Sequence, residues 1–277
     1  MLPQPNEGFA WVQLPGGPAL VCQALEPVAT HFYTTREWRL GFGGAEQRDE
    51  AWGDVAGAAH VEPVRLARVT QVHGADVVVL RSGAARGSDT DRRREADIIV
   101  SNNRELTLAI QTADCVPLLL GDCRTGAVAA AHAGWRGLAS HVPRMAVEAL
   151  AREFGSRPSD LVAAIGPSIG ACCYEVGADV RDAFRNGGFE REIGDWFFDA
   201  PRPTRENPSM LALSPDRRLG HWFFDGWAAA YDQLLRAGVP LGQIHSAGLC
   251  TASHPALCSY RRDGAASGRI AAAITPR

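Results

Sequence analysis

Lysine is absent from this 277-residue chain: all 28 basic side chains are arginine. That excludes a Schiff-base lysine and the phosphate-gripping lysine of a Walker-type loop. An excess of positive charge is missing too. With 31 acidic residues the formal net charge is −3, which leaves no basic face for nucleic acid and no polybasic patch for a membrane surface. Long hydrophobic runs are lacking: no window reaches the roughly 18 apolar residues of a membrane span. The uncharged stretch 237–260 is broken by Gly, Pro, His and Gln. There is no charged-then-apolar leader, and the seven cysteines are odd in number and irregularly spaced. A soluble cytoplasmic protein with reduced thiols is expected, whose partners are small molecules rather than nucleic acid or membrane.

What is present suits a sizeable core, since 46% of the residues are hydrophobic and no linker is long enough to divide the chain. Short apolar runs within residues 1–30 (FAWVQL, ALVCQAL) read as edge strands. VRLARVTQVHGADVVVL (64–80) reads as two strands around His73-Gly74, and RSGAARGSDTDRRRE (81–95) as a solvated loop. Strand-like segments follow through GAVAAAHAG. From Trp135 the apolar positions Leu138, Val142, Met145, Ala149 and Phe154 predict one helix stopped by Gly155. Further helices are expected over 176–188 and 224–238. DWFFDA (195–200) is nearly repeated as HWFFDG (221–226), and the pair reads as aromatic packing segments flanking a proline-rich excursion at 201–215.

His73, Cys115 and His132 are the most suggestive side chains, each beside small residues near a strand end or turn. Imidazole and thiolate suit zinc, and three protein ligands leave a fourth position open. Their separations, 42 and 17 residues, match no zinc finger. Packing residues, a catalytic metal and a Cys/His hydrolase pair therefore all remain open on spacing alone. Strand alternation would send Asp114 and Cys115 to opposite faces, making Asp114 an orienting group or a turn carboxylate. Arg136, in the first helical turn, is placed either to grip an anion or to be solvated. Cys172-Cys173 reads as buried thiols in preference to a strained vicinal disulfide. Arg261 and Arg262, before Asp263-Gly264, either contact substrate or flank a turn.

Taken in order, TQVHGADVVVL, ADIIVSN with LTLAIQTADCVPLLL, AVAAAHAGWRG, IGPSIGACCYEVG and SYRRDG with a following GR resemble the laccase-domain family. Its members have been called polyphenol oxidases, peptidoglycan-editing factors and purine nucleoside phosphorylases. The resemblance is strongest over 64–277, and residues 1–63 diverge. HFYTTREW resembles an early Thr-Arg segment of the family, making Arg36 a pocket candidate, but GFGGAEQRDEAWGDVAGAAH follows in place of the usual motifs.

The resemblance implies a single α/β (α+β) domain over 1–277, with mixed β-sheets packed with helices. It implies Zn2+ held by His73, Cys115 and His132, with copper the lesser candidate. The implied reactions are phosphorolysis of adenosine, inosine and S-methyl-5′-thioadenosine to free base and a ribose 1-phosphate, with adenosine deamination besides. Purine nucleoside and phosphate would be the partners, Arg36, Arg136 and Arg261 the substrate contacts, Asp114 the general acid, and the protein a monomer or weak homodimer. Three alternatives stand beside this reading. A Cys/His hydrolase would suit peptidoglycan editing. A binding protein would keep the fold without catalysis. A multicopper phenol oxidase needs a larger histidine set, much of it in His-x-His pairs, whereas this chain has eight histidines and no such pair.

Overall fold

The computed structural model describes residues 1–83, 94–203 and 218–277. Its first sheet begins with an antiparallel meander of β1 (Phe9–Leu14), β2 (Gly17–Cys22) and β3 (Ala29–Thr34); the runs FAWVQL and ALVCQAL supply β1 and β2 as expected, but only β1 is an edge strand. Helix α1 (Ala45–Ala58) follows, then β4 (Leu66–Ala67), β5 (Val77–Leu80), β6 (Ile98–Ser101), β7 (Thr107–Thr112), β8 (Val116–Asp122) and β9 (Val128–Ala133). Beyond these come α2 (Trp135–Ala139), α3 (Val142–Phe154), β10 (Leu161–Ile165), β11 (Glu175–Gly177), α4 (Ala178–Asn186) and α5 (Ile193–Trp196). The chain closes with β12 (Phe197–Phe198), β13 (His221–Phe224), α6 (Gly226–Arg236), β14 (Ile244–Ser246), α7 (Tyr260–Asp263) and β15 (Ile270–Pro276).

Two six-stranded sheets, ordered β1-β2-β3-β15-β7-β4 and β14-β10-β8-β9-β6-β5, mix parallel and antiparallel pairs, as the mixed α/β expectation required. Their strands are apolar on both faces, and the alternation of side chains sorts each strand between two cores. From β15, Ile270, Ala272 and Ile274 enter the core between the sheets, while Ala271 and Ala273 join Trp52, Val55 and Ala56 of α1 on the outer side. From β8, Leu119 points inward, while Leu118 and Leu120 pack with residues of α3 and α6. The layers therefore run helix, sheet, sheet, helices. The Tyr33 hydroxyl ties the two sheets together by donating to the Ala164 carbonyl at 2.7 Å.

Several expectations change. The two strands read in 64–80 exist, but β4 belongs to the first sheet and β5 to the second. The single helix from Trp135 is two, because Pro143 has no N–H to continue α2 and instead opens α3. The chain turns at His141, whose φ is 62°. Gly155 ends α3 in the left-handed conformation, as expected (φ 68°). The near-repeated aromatic segments pair with each other, Phe197 opposite Phe224 and Phe198 opposite Phe223. Residues 84–93 of the loop read as solvated, and most of the proline-rich excursion, lie outside the described residues.

Candidate functional site

Three connections that leave one large sheet and enter the other meet at one end of the sandwich. His73 lies between β4 and β5, the Ala113-Asp114-Cys115 turn between β7 and β8, and the segment bearing Tyr260, Arg261 and Arg269 between β14 and β15. His132 arrives from within β9, one residue before its end. Asp114 and Cys115 thus sit in a turn, not in a strand, so strand alternation does not separate them. Asp114 has φ 90° and His73 φ 61°, backbone conformations that cost about 1–3 kcal/mol each and must be held by their surroundings.

The holding group for His73 is Asp97, a residue of ADIIVSN that reading by motif passes over. Its carboxylate is fully buried and accepts the backbone N–H groups of Val72 (3.2 Å), His73 (3.0 Å) and Gly74 (2.6 Å). The His132 Nδ1–H donates to the same carboxylate at 2.7 Å. One side chain therefore shapes the His73 turn and fixes the His132 tautomer, leaving the other ring nitrogen of His132 available as a ligand. The ligand atoms of His73, Cys115 and His132 lie within 4.8 Å of one another, and the two rings meet edge to face with centroids 4.7 Å apart. Gly134 leaves room for this approach, since a Cβ there would stand 2.9 Å from Cys115 Sγ and 3.1 Å from His73 Cδ2. Its backbone is extended, so the glycine is needed for space and not for a special turn.

Electrostatics follow the geometry. Burial alone would raise the Cys115 thiol, but hydrogen bonds and charge from His132 and His73 outweigh it and bring the thiol down to about 6. Burial would lower His132, but the Asp97 and Cys115 hydrogen bonds lift it to about 9. Burial likewise works against the Asp97 carboxylate, which the His132 and backbone N–H bonds hold below the usual range. Two imidazoles and an ionised thiol around one point form a donor set suited to zinc or another borderline-soft ion. His73 is exposed while His132 is buried, so the set opens toward solvent.

That opening is a cleft of about 470 Å³, within the range of small-molecule sites. Asp114 lines it. Burial raises the Asp114 carboxyl despite hydrogen bonds from the Thr251 hydroxyl (2.7 Å) and the Arg261 N–H (2.6 Å). Arg261 also lines the cleft and reaches the Glu175 carbonyl at 2.8 Å. Tyr174, Tyr260 and Arg269 line it as well. Arg269 is the arginine of the GR pair, and Gln71, which exchanges hydrogen bonds with the Gln111 backbone, opens QVHG. Both stand inside segments that carry the family resemblance, and neither is singled out by sequence reasoning.

Two expected substrate contacts, Arg136 and Arg36, are not among the residues lining the cleft, although the Arg136 charge acts on Tyr174 in its wall. Arg136 is exposed and stacks on Trp135, its guanidinium carbon 4.2 Å from the ring centroid, and it is not among the cleft-lining residues. In the five-residue α2, Trp135 is half-buried against the core and Arg136 is exposed, while Leu138 packs inward. Arg36 also lies off the cleft lining and is committed to Asp263 at 2.6 Å, where it braces α7.

Comparison with known proteins agrees with this architecture. The chain is 34% identical over 216 residues to a purine nucleoside phosphorylase of Bacteroides thetaiotaomicron, covering 76% of this chain and 73% of that protein. It is 33% identical over 204 residues to the adenosine deaminase RL5 of an unknown prokaryotic organism, covering 72% and 70%. The crystal structure of YlmD from Geobacillus stearothermophilus superposes with a TM-score of 0.75 at 29% identity, over 94% of this chain and 96% of that one. Residues 45–277 match the family described as "Multi-copper polyphenol oxidoreductase laccase", and the chain belongs to that family.

Proposed function

We propose that the protein is a zinc-dependent purine nucleoside phosphorylase, acting on adenosine, inosine or S-methyl-5′-thioadenosine with phosphate, with adenosine deamination as a second activity. The observation that carries this reading is the meeting, in one cleft, of the His73–Cys115–His132 donor set with two guanidinium groups and two aromatic rings. Relatives named for both activities support it. His73, Cys115 and His132 would hold the metal, which when bound supplies a Lewis acid at the inner end of the cleft.

The remaining work falls to the chain's own residues. Arg261 and Arg269 offer charge-assisted donors to phosphate. In phosphorolysis a phosphate oxygen bonds to the ribose C1′ as the bond from C1′ to the base nitrogen breaks, and the electron pair left on the base needs a proton. Asp114, whose carboxyl burial shifts upward and the Thr251 hydroxyl steadies, is the group we assign to deliver it. Tyr260, 58% exposed, offers a purine an aromatic face at the mouth. A reduced cytoplasmic setting suits seven cysteines in no disulfide, and a monomer or weak homodimer is the expected solution state.

A second reading is favoured by one feature. Asp97, His132 and Cys115 line up as orienting acid, base and thiol, the arrangement of a cysteine hydrolase. The second imidazole, His73, is surplus to such a triad and fits a metal site better. The test is to measure zinc and copper in protein purified without added metal, then assay inosine and adenosine with and without phosphate. Phosphate-dependent release of free base, lost together with zinc in Cys115→Ala, is the expected result. Metal-free protein that an acyl probe traps at Cys115 would overturn it, as would copper content tracking phenol oxidation.

A further inference from the structure

A second group of thiols lies behind the cleft wall. Cys172, Cys173 and Cys250 are buried to 1%, 3% and 0% exposure, and their three Sγ atoms lie within 4.8 Å of one another. Two come from a tight turn in which the N–H groups of Cys173 and Tyr174 both donate to the Gly170 carbonyl. The third comes from the strand-like bridge that pairs Ser168 with Cys250, and the Gly170 N–H donates to its sulfur at 3.4 Å. The Ser253 hydroxyl reaches the same point, 3.3 Å from Cys173 Sγ and 3.6 Å from Cys172 Sγ.

We infer that Cys172, Cys173 and Cys250 form a second, closed metal site whose occupant is Zn2+, with the Ser253 Oγ as its fourth donor. Sulfur donors select soft or borderline cations over magnesium, calcium and manganese. Structural zinc sites are four-coordinate, and three sulfurs with one hydroxyl supply that number. Charge separates zinc from Cu(I): three thiolates leave a residual charge of −1 with a divalent ion and −2 with a monovalent one, and buried net charge is costly. Hydrogen bonds to Cys173 and Cys250, then burial, push Cys172 up, and burial pushes Cys250 up. Metal ligation needs thiolates, so binding releases the thiol protons.

The site adjoins the cleft without sharing a ligand with it. The Arg261 guanidinium donates to the carbonyls of Cys173 (3.5 Å) and Glu175 (2.8 Å), and Tyr174 between them lines the cleft. A filled thiol site would fix the turn that carries this wall, whatever reaction the cleft performs.

The test uses the whole 277-residue chain carrying Cys115→Ala, which takes the thiolate out of the first donor set. It is stripped with a chelator under reducing conditions and titrated with Zn2+ or Cd2+. We expect about one equivalent bound and a cadmium–thiolate charge-transfer band, both lost when Cys250→Ser is added. In the unmutated chain, zinc should slow alkylation of Cys172, Cys173 and Cys250 by roughly tenfold or more, read peptide by peptide by mass spectrometry. That second readout does not depend on any variant folding. No metal uptake by the Cys115→Ala chain, a cadmium band that survives Cys250→Ser, or alkylation rates indifferent to zinc would each overturn the site.

Discussion

Cys115 sits half-buried between two imidazoles, whereas Cys172 sits fully buried beside two other sulfurs. The first is drawn down to about 6 and the second is pushed far up, although burial opposes the thiolate in both places. The same contrast holds among histidines. His132, with Asp97 on its Nδ1, is raised to about 9; His31, whose ring nitrogens meet the Cys22 N–H and the Ala29 carbonyl, is lowered by burial to about 4. At the sheet crossing, hydrogen-bonded charged partners reverse the direction that burial alone would set for Cys115 and His132.

The strongest way to break the contrast is to remove the thiol that the imidazoles favour. Cys115→Ala should reduce metal at the first site and phosphate-dependent base release to background, while the far-UV spectrum stays native. Retained activity would show that the thiol is dispensable. Asp97→Asn tests the partner instead. It takes the charge from His132 and weakens the cradle of the His73 turn, so affinity for the metal should fall roughly 10–100-fold in a chelator competition. An unchanged affinity would mean that Asp97 merely packs.

His31 sharpens the burial-only side. Above about pH 6.5 the folded and unfolded chains both hold a neutral imidazole, so nothing is lost. From about 6.5 down to 4 only the unfolded chain takes the proton, and stability falls as pH falls; below 4 both are charged and the loss is constant. The full difference is about 3 kcal/mol, and His31→Gln should remove that part of the pH dependence in denaturant titrations at pH 7 and pH 4.5. Equal slopes for the two proteins would contradict it. The smallest effect expected is from Gly134→Ala, about 1–3 kcal/mol of stability, with weakened metal binding because its Cβ crowds Cys115 and His73. Gly155→Ala, where nothing lies within 4 Å and only the φ of 68° resists, should cost a similar amount and leave metal binding alone.

The three donors are legible only through the company of their motifs, since spacings of 42 and 17 residues carry no geometric message. Their convergence depends on which sheet each flanking strand joins, and β4 and β5 look alike as short apolar runs yet part company. Asp97 is hidden because its partners, His132 and the Val72–Gly74 backbone, are brought to it only by folding. Arg136 and Arg36 look suitable for the opposite reason: a guanidinium near a motif carries no record of the Trp135 ring or the Asp263 carboxylate that claims it. The break at Pro143 is readable from the chain itself, but the apolar period runs straight across it. Helix α1 lies in a stretch that reads as departing from the family's usual motifs, yet the family match begins at its first residue. The Gly44 N–H is capped by Gln47 Oε1 at 2.9 Å, and Trp52, Val55 and Ala56 bury against the first sheet.

His73 and Cys115 ride on connections that span from one sheet to the other, while His132 belongs to a single sheet, so the gap between the sheets behaves like the setting of a caliper. Tyr33, Leu119, Ile270 and Ile274 lie outside the cleft lining, yet they help define the thickness that the donor set must bridge. Metal–ligand distances tolerate only about 0.2 Å of drift. On the proposed metal site, a cavity opened between the sheets would cost both stability and metal affinity. With the donor set placed at its end, the same spacing that packs the interior of the sandwich also positions His73, Cys115 and His132.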